Sequence, residues 1–346
     1  MSTLFSTFPK TTKAEWLAKV ERDLKGKSLD DLMWKVTDDW TISPFAHLED
    51  MPDAKPAITR AKTTNSWEIG ERIIAEDAKV VNEIAHTALS GGVNALFFQL
   101  PSGFEDFSTL LKDVQLEWIS THFEGDLVEP FLSFLQTTNF NLRHLEGSWR
   151  GAAETTKLNS LLPLFVCQQV DGTPHHQGKE KTVEELTAIL IDLNQKLQSF
   201  TDQPHCPIQL SIGIGKSYFI NIAKIRAIHL LWQHLLSTYQ VDIHLSVEAI
   251  VAADIYPDDQ YQNMIQISTQ ALSAVIGGVD RLYIDPSDTK GTAFTRRIAR
   301  NVQHLLQLES HLDHVVDPAA GSYYLEQMTE GLGERAWNGF LKHIGT

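Results

Sequence analysis

The sequence predicts an α/β fold, a (β/α)8 TIM-type barrel with an N-terminal helical arm and a C-terminal helix. Three observations predict it. From Trp67 onward, short apolar runs alternate with amphipathic stretches, the texture of strands joined by crossover helices and hence of a parallel sheet. Eight runs qualify as strands, the number that closes a barrel. The chain has 346 residues, room for a barrel of ~250 residues and an extension. Periodicity alone does not show closure, so an open doubly wound sheet is the alternative.

Residues 1–60 do not form a barrel unit and read as an arm for partner contact, leaving 61–346 as the barrel with its closing helix. Thr12-Lys-Ala-Glu15 is a capping box, followed by Trp16, Val20 and Leu24 at helical spacing, and Gly26 ends that helix. The arm is rich in aromatic residues that need a surface to lie on: Phe5, Phe8, Trp16, Trp34, Trp40 and Phe45. That surface is expected on the barrel, on a partner, or on both.

The strand candidates are Val93–Leu100, Leu116–Ser120, Leu161–Val170, Ile208–Ile214, Ile243–Val247 and Arg281–Ile284, with weaker ones at Glu68-Ile69 and Leu142–Leu145. Helices fall between them. Thr182-Val-Glu-Glu185 is a capping box opening a helix toward Phe200. Apolar residues at helical spacing run from Phe219 to Leu231, from Tyr261 to Ile276 and from Phe294 to Leu308. Asp317-Pro318 ends an apolar segment, Gly321-Ser322 makes a turn with Ser322 as N-cap, and a helix continues through Trp337 to Phe340.

The formal net charge of −15 argues against a nucleic-acid partner. The sequence shows no signal-peptide pattern and no apolar run of bilayer-spanning length, so no membrane association is expected. Cys167 and Cys206 have neither metal-ligand spacing nor a close partner in sequence and read as reduced thiols of a cytoplasmic protein.

Several motifs invite chemistry and fall short of it. Gly213-Ile-Gly215-Lys216-Ser217 lacks the upstream glycine of a phosphate loop, because position 210 is Leu. It reads as a tight strand-to-helix turn capped by Ser217, with weak anion binding the minor alternative. Adjacent His175 and His176 diverge if they lie on a strand, so they are poor joint ligands of one ion. Pro204-His205-Cys206-Pro207 is a constrained loop, and Asp77 and Asp259 read as helix starts. No metal site is expected.

Five segments, in order, resemble the methylmalonyl-CoA mutase family. They are Phe8–Trp16 with Asp23–Gly26, Val170–Gly178 with Glu184-Glu185-Leu186, Tyr218–Trp232, Arg296–Asn301, and the Asp317-Pro318 segment. The resemblance spans roughly residues 5–340. It implies a barrel that holds a coenzyme A thioester and a separate domain that binds adenosylcobalamin, the assembly interconverting methylmalonyl-CoA and succinyl-CoA. The chain stops at Thr346, which leaves no room for the cobalamin domain, so that domain is expected to be absent and no cofactor to be bound by this chain.

The resemblance fails where the chemistry would lie. No Tyr-Ala-Gly-Phe-Ser-Thr loop follows Trp67–Arg72, and the family's catalytic histidine position falls on Thr173. Asp242-Ile-His244 begins like a cobalamin-ligand motif, but Val247 replaces its glycine. Phe97, Phe98, Leu100, Trp118, Leu164, Phe165 and Val166 crowd the strands, and some must point inward, so a barrel filled with hydrocarbon is expected.

The resemblance therefore implies a non-catalytic small-subunit-like barrel, inactive alone, paired with a catalytic large subunit, with a homodimer possible in isolation. Phe5, Phe8, Trp16, Trp34 and Phe45 are its candidate contact residues. Two rivals stand beside it: a catalytic barrel that uses a cobalamin domain on another chain, and an acyl-CoA-binding protein. For these the candidate mouth residues are Thr173, His175, His176 and Tyr256.

Overall fold

The structure is a computed structural model and describes residues 11–37, 40–51, 62–152, 156–199, 206–251, 259–288 and 291–345. Its centre is a parallel sheet of β3 (Glu68–Ile74), β4 (Ala95–Gln99), β5 (Ser120–Glu124), β6 (Glu146–Arg150), β7 (Phe165–Val166), β8 (Gln168–Asp171), β9 (Ile208–Gly213), β10 (Leu245–Val251) and β11 (Arg281–Ile284). The strand order is β7-β6-β5-β4-β3-β11-β10-β9-β8. The two ends of that order, β7 and β8, are separated in the chain by Cys167 alone. The expected strand Leu161–Val170 is therefore one interrupted strand whose halves pair with β6 and β9 and close the ring. Counted this way the barrel has the eight strands that the sequence predicts, and the open sheet is excluded.

Between the strands lie α2 (Ala78–Ser90), α3 (Phe107–Leu110), α4 (Glu129–Gln136), α5 (Thr156–Leu161), α6 (Thr182–Gln198), α7 (Tyr218–Tyr239), α8 (Gln260–Gly277) and α9 (Ala293–His304). Asp77 and Asp259 accept hydrogen bonds from the first-turn amides of α2 and α8, the helix starts that the sequence suggests. Two strands are displaced from expectation. Leu116–Trp118 and Leu142–His144 are single 3-10 turns, and the strands begin after them at Ser120 and Glu146. Trp118 is 80% exposed on its turn, and Leu164 is exposed as well, so neither crowds the barrel.

The arm divides into two parts. Helix α1 (Lys13–Asp23) has the expected capping box and buries no residue. Its Trp16 stacks on Phe45 with ring centroids 4.3 Å apart, and Lys13 pairs with Asp50. The hairpin of β1 (Trp34–Thr37) and β2 (Trp40–Ile42) instead docks on the barrel, with Val36 and Ile42 buried in the main core. Trp40 lies under the Arg335 guanidinium at 4.3 Å, and Lys179 stands 5.6 Å from the Trp34 ring. Phe5 and Phe8 lie outside the described residues.

Helix α10 (Tyr323–Ile344) closes the barrel against α6 and α7. The expected apolar segment ahead of Asp317 is a loop. It is anchored electrostatically. Buried Arg226 of α7 holds Asp317 through two bonds of 2.9 and 3.0 Å and Glu326 at 2.7 Å. Ser322 occupies the N-cap position without a side-chain cap bond.

Candidate functional site: the barrel interior and its mouth

The inner face of a barrel takes alternate residues of each strand. Here that face is polar and charged. Arg150, at the end of β6, reaches across to Glu248 of β10 at 2.9 Å, and on the way it bonds Gln169 of β8 at 2.9 Å and Ser211 of β9. Its guanidinium also sits 5.7 Å from the Phe97 ring of β4. Glu248 is completely buried and is shared further by Gln209 at 2.6 Å and Arg281 at 3.3 Å. Arg281 binds Glu68 at 2.6 Å, and Arg72 clasps Asp285 through bonds of 2.9 and 3.1 Å. His122 bridges Ser148 at 2.7 Å and Ser120 at 3.1 Å.

Burial, with Arg281 and Arg150 close by, pushes the His122 imidazole well below its ordinary pKa, so it is neutral. Burial likewise raises the Tyr283 phenol, whose hydroxyl has no hydrogen-bond partner among the described residues. Phe97, Ile250 and Tyr283 form one small apolar cluster among these charges. Gly70 makes room for the Tyr283 ring, which occupies the place a β-carbon would take.

The expectation of a hydrocarbon filling is therefore wrong in kind. Of the crowding residues, Phe97 points inward, whereas Phe98 and Phe165 point outward into the layer beneath the helices. The interior is filled, but by an ion-paired plug.

The C-terminal ends of the strands form the mouth, where the loops after β8 and β9 meet. Thr173 is tied back by its hydroxyl and amide to Asp171 at 2.7 and 3.0 Å. His175 turns outward to Asp192 of α6 at 2.8 Å. His176 turns inward to Glu185 of α6 at 3.0 Å. The two histidines diverge as expected, though they sit at a 3-10 turn and not on a strand. Tyr256 lies outside the described residues.

Glu185 and Lys224 of α7 are both buried and pair at 2.7 Å, and Lys224 also donates to the Gly213 carbonyl at 2.7 Å. Burial opposes the Glu185 charge, but the Lys224 ammonium and the His176 bond outweigh it and hold the carboxyl below its usual range. Glu185 is thus not the reach-back member of a capping box, and the N-cap of α6 is Lys181, without a side-chain cap bond. Gly213, which ends β9, and Gly215 just after it both lack positive φ, so left-handed backbone is not what requires glycine there. A β-carbon on Gly213 or Gly215 would come within 2.9 Å of His176, so both make room for its imidazole. Ser217 begins α7 without using its hydroxyl as a cap. Residues 176–179 and 215–217 line a cavity of about 570 Å3.

Asp242 and His244 are exposed ahead of β10, at the N-terminal face of the barrel and away from the mouth. That placement does not fit a cobalamin-ligand loop. The pairing of β8 with β9 brings Cys167 and Cys206 near one another, and burial, with Cys206 nearby, pushes the Cys167 thiol up to about 12. Among the described residues, no group of His, Cys, Asp or Glu is placed to hold a metal ion, and no helix is long and apolar enough to cross a membrane.

Sequence reasoning passed over Glu185, Lys224, Arg150 and Glu248 as a set. A signal was present: a lone charge inside an apolar run, as in Leu245–Val251, marks a residue that folding must pair.

Residues 200–345 match the family model for methylmalonyl-CoA mutase. Along nearly its whole length the chain is similar to a methylmalonyl-CoA mutase small subunit of Porphyromonas gingivalis, at 28% identity over 98% of this chain and 63% of the relative. It is similar to another of that name from Streptomyces virginiae, at 25% identity over 99% of this chain and 64% of the relative. It also matches a methylmalonyl-CoA mutase of Cereibacter sphaeroides, at 25% identity over 93% of this chain and 57% of the relative. The chain thus spans about six-tenths of the length of these relatives. The C-terminal part of the chain thus matches the methylmalonyl-CoA mutase family model, and nearly its whole length is similar to proteins of that name.

Proposed function

We propose that this chain is a non-catalytic, small-subunit-like barrel that supports a catalytic chain interconverting methylmalonyl-CoA and succinyl-CoA. The observation that carries this reading is the Arg150–Glu248 bond across the barrel, with Phe97 packed beside it. A thioester threaded along the axis would have to part that pair and leave buried charges without partners, at a cost of about 3–5 kcal/mol. Thr173 in place of the family's histidine supports the same reading. The names of two relatives, both small subunits, fit a larger catalytic partner, and adenosylcobalamin would belong to that partner.

The contact element of this proposal is the arm. Among the described residues, no residue of α1 is fully buried, and Leu32, Phe45 and Leu48 remain exposed. Aromatic anchors of this sort dominate interface energies once a partner covers them. Trp16 and Phe45 carry the role, whereas Trp34 is committed to the barrel side through Lys179. The test is co-purification and sedimentation with the catalytic chain of the same organism, with and without residues 1–60, alongside mutase assays of each chain. The reading expects association that weakens without the arm and no turnover by this chain alone. Turnover by this chain supplied only with a separate cobalamin domain would overturn the non-catalytic role. Equal affinity without the arm would overturn its contact role.

A further inference from the structure

The cavity at the barrel mouth is built around a histidine whose back is fully occupied. Nδ1 of His176 faces Glu185 at 3.0 Å, Glu185 faces Lys224 at 2.7 Å, and the last two side chains are 0% and 1% exposed. A buried pair of opposite charges contributes little to stability. What this pair does locally is fix the imidazole. An ionised Glu185 accepts a hydrogen bond from Nδ1–H, which leaves Nε2 as the acceptor nitrogen of the ring. Nε2 stands against Gly215, within 2.9 Å of where a β-carbon would be, and both residues line the cavity.

The other groups on the wall share one preference. Lys216 is exposed and pairs with no carboxylate among the described residues, the Ser217 hydroxyl is not used as a cap, and Lys179 stands at the rim, 3.7 Å from Glu180. Among the described residues, no carboxylate lines the cavity. At about 570 Å3 it has the size of a metabolite site.

We propose that this cavity binds the phosphoryl group of a small phosphorylated metabolite. The Ser217 hydroxyl and the Lys216 ammonium would donate to its oxygens, and His176 Nε2 would accept from its P–OH group, with Lys179 closing the rim. Donors contributed by two separate loops suit a tetrahedral oxyanion better than a planar carboxylate. The site lies on the β8–β9 side of the mouth, not along the axis, and the inference does not depend on the non-catalytic reading.

The test is calorimetric titration of the whole chain with inorganic phosphate in a non-phosphate buffer, with malonate as the carboxylate probe. One saturable site is expected, stronger for phosphate than for malonate. Lys216→Ala and His176→Gln should each weaken it about tenfold, the loss of one charge-assisted hydrogen bond. Lys157→Ala, a surface lysine paired with Glu129 elsewhere, should leave it unchanged. Lys216 is exposed, so its variant decides the matter even if His176→Gln disturbs folding. Failure to saturate, equal binding by Lys216→Ala, or tighter binding of malonate would overturn the proposal.

Discussion

The two faces of the barrel sheet are built from opposite chemistries. On the outside, beneath the helices, Phe98, Phe107, Phe123, Phe131, Trp149 and Phe165 form a continuous aromatic layer, with Phe123 4.8 Å from Phe131 and 5.0 Å from Trp149. On the inside, one residue away along the same strands, stand His122, Ser148 and Arg150. The outer layer drives folding by removing apolar surface from water. The inner charges instead specify positions, because each is tolerable only when its partners are in place. A strand of a filled barrel is thus buried on both sides, and total hydrophobicity does not reveal what fills the middle.

The comparison can be broken at Glu248. Replacing it with Ala leaves Arg150 and Arg281 in the interior without their shared carboxylate, and equilibrium denaturation should show a loss of about 3–5 kcal/mol. A loss below ~1 kcal/mol would mean that water already reaches the interior.

A smaller effect follows from His122. Its folded pKa is depressed, so below the ordinary histidine value the unfolded chain takes up a proton that the folded chain refuses. Stability should therefore fall as pH drops from about 6.5, by up to ~1.4 kcal/mol per pH unit for this one proton, and stay flat with respect to it above that point. His122→Gln should lower the slope by one proton, and an unchanged slope would show that the ring is not sealed in.

Smaller still is Tyr283→Phe. It removes a buried hydroxyl that finds no partner among the described residues and should leave stability unchanged or raise it by about 1 kcal/mol. Least affected should be the arm: Trp16→Ala on the isolated chain should cost under ~1 kcal/mol, because Trp16 is only half-buried against Phe45, while weakening association with a partner.

The ring of strands was legible because each run is short, apolar and followed by a helix-length spacer. Arg281–Ile284 falls where the sequence places it. The starts of β5 and β6 were not legible, because Leu116 and Leu142 look like strand residues but belong to single turns that lead into the sheet. The inward or outward sense of each strand was also hidden. Phe97 and Phe98 are equivalent in composition, and only the register with β3 and β5 sends the first inward and the second outward. At the mouth, the Gly213-Ile-Gly215 turn and His176 were read apart, since nothing local shows that the glycines make room for a ring 37 and 39 positions earlier in the chain. Thr182–Glu185 misled for a related reason, because the better partner for Glu185 lies on another helix.

The most direct measurement is a crystal structure of the chain grown with a saturating acyl-CoA thioester. The account predicts an Arg150–Glu248 bond still closed across the barrel and no pantetheine along the axis. A thioester lying inside the barrel, with Arg150 and Glu248 drawn apart, would contradict it.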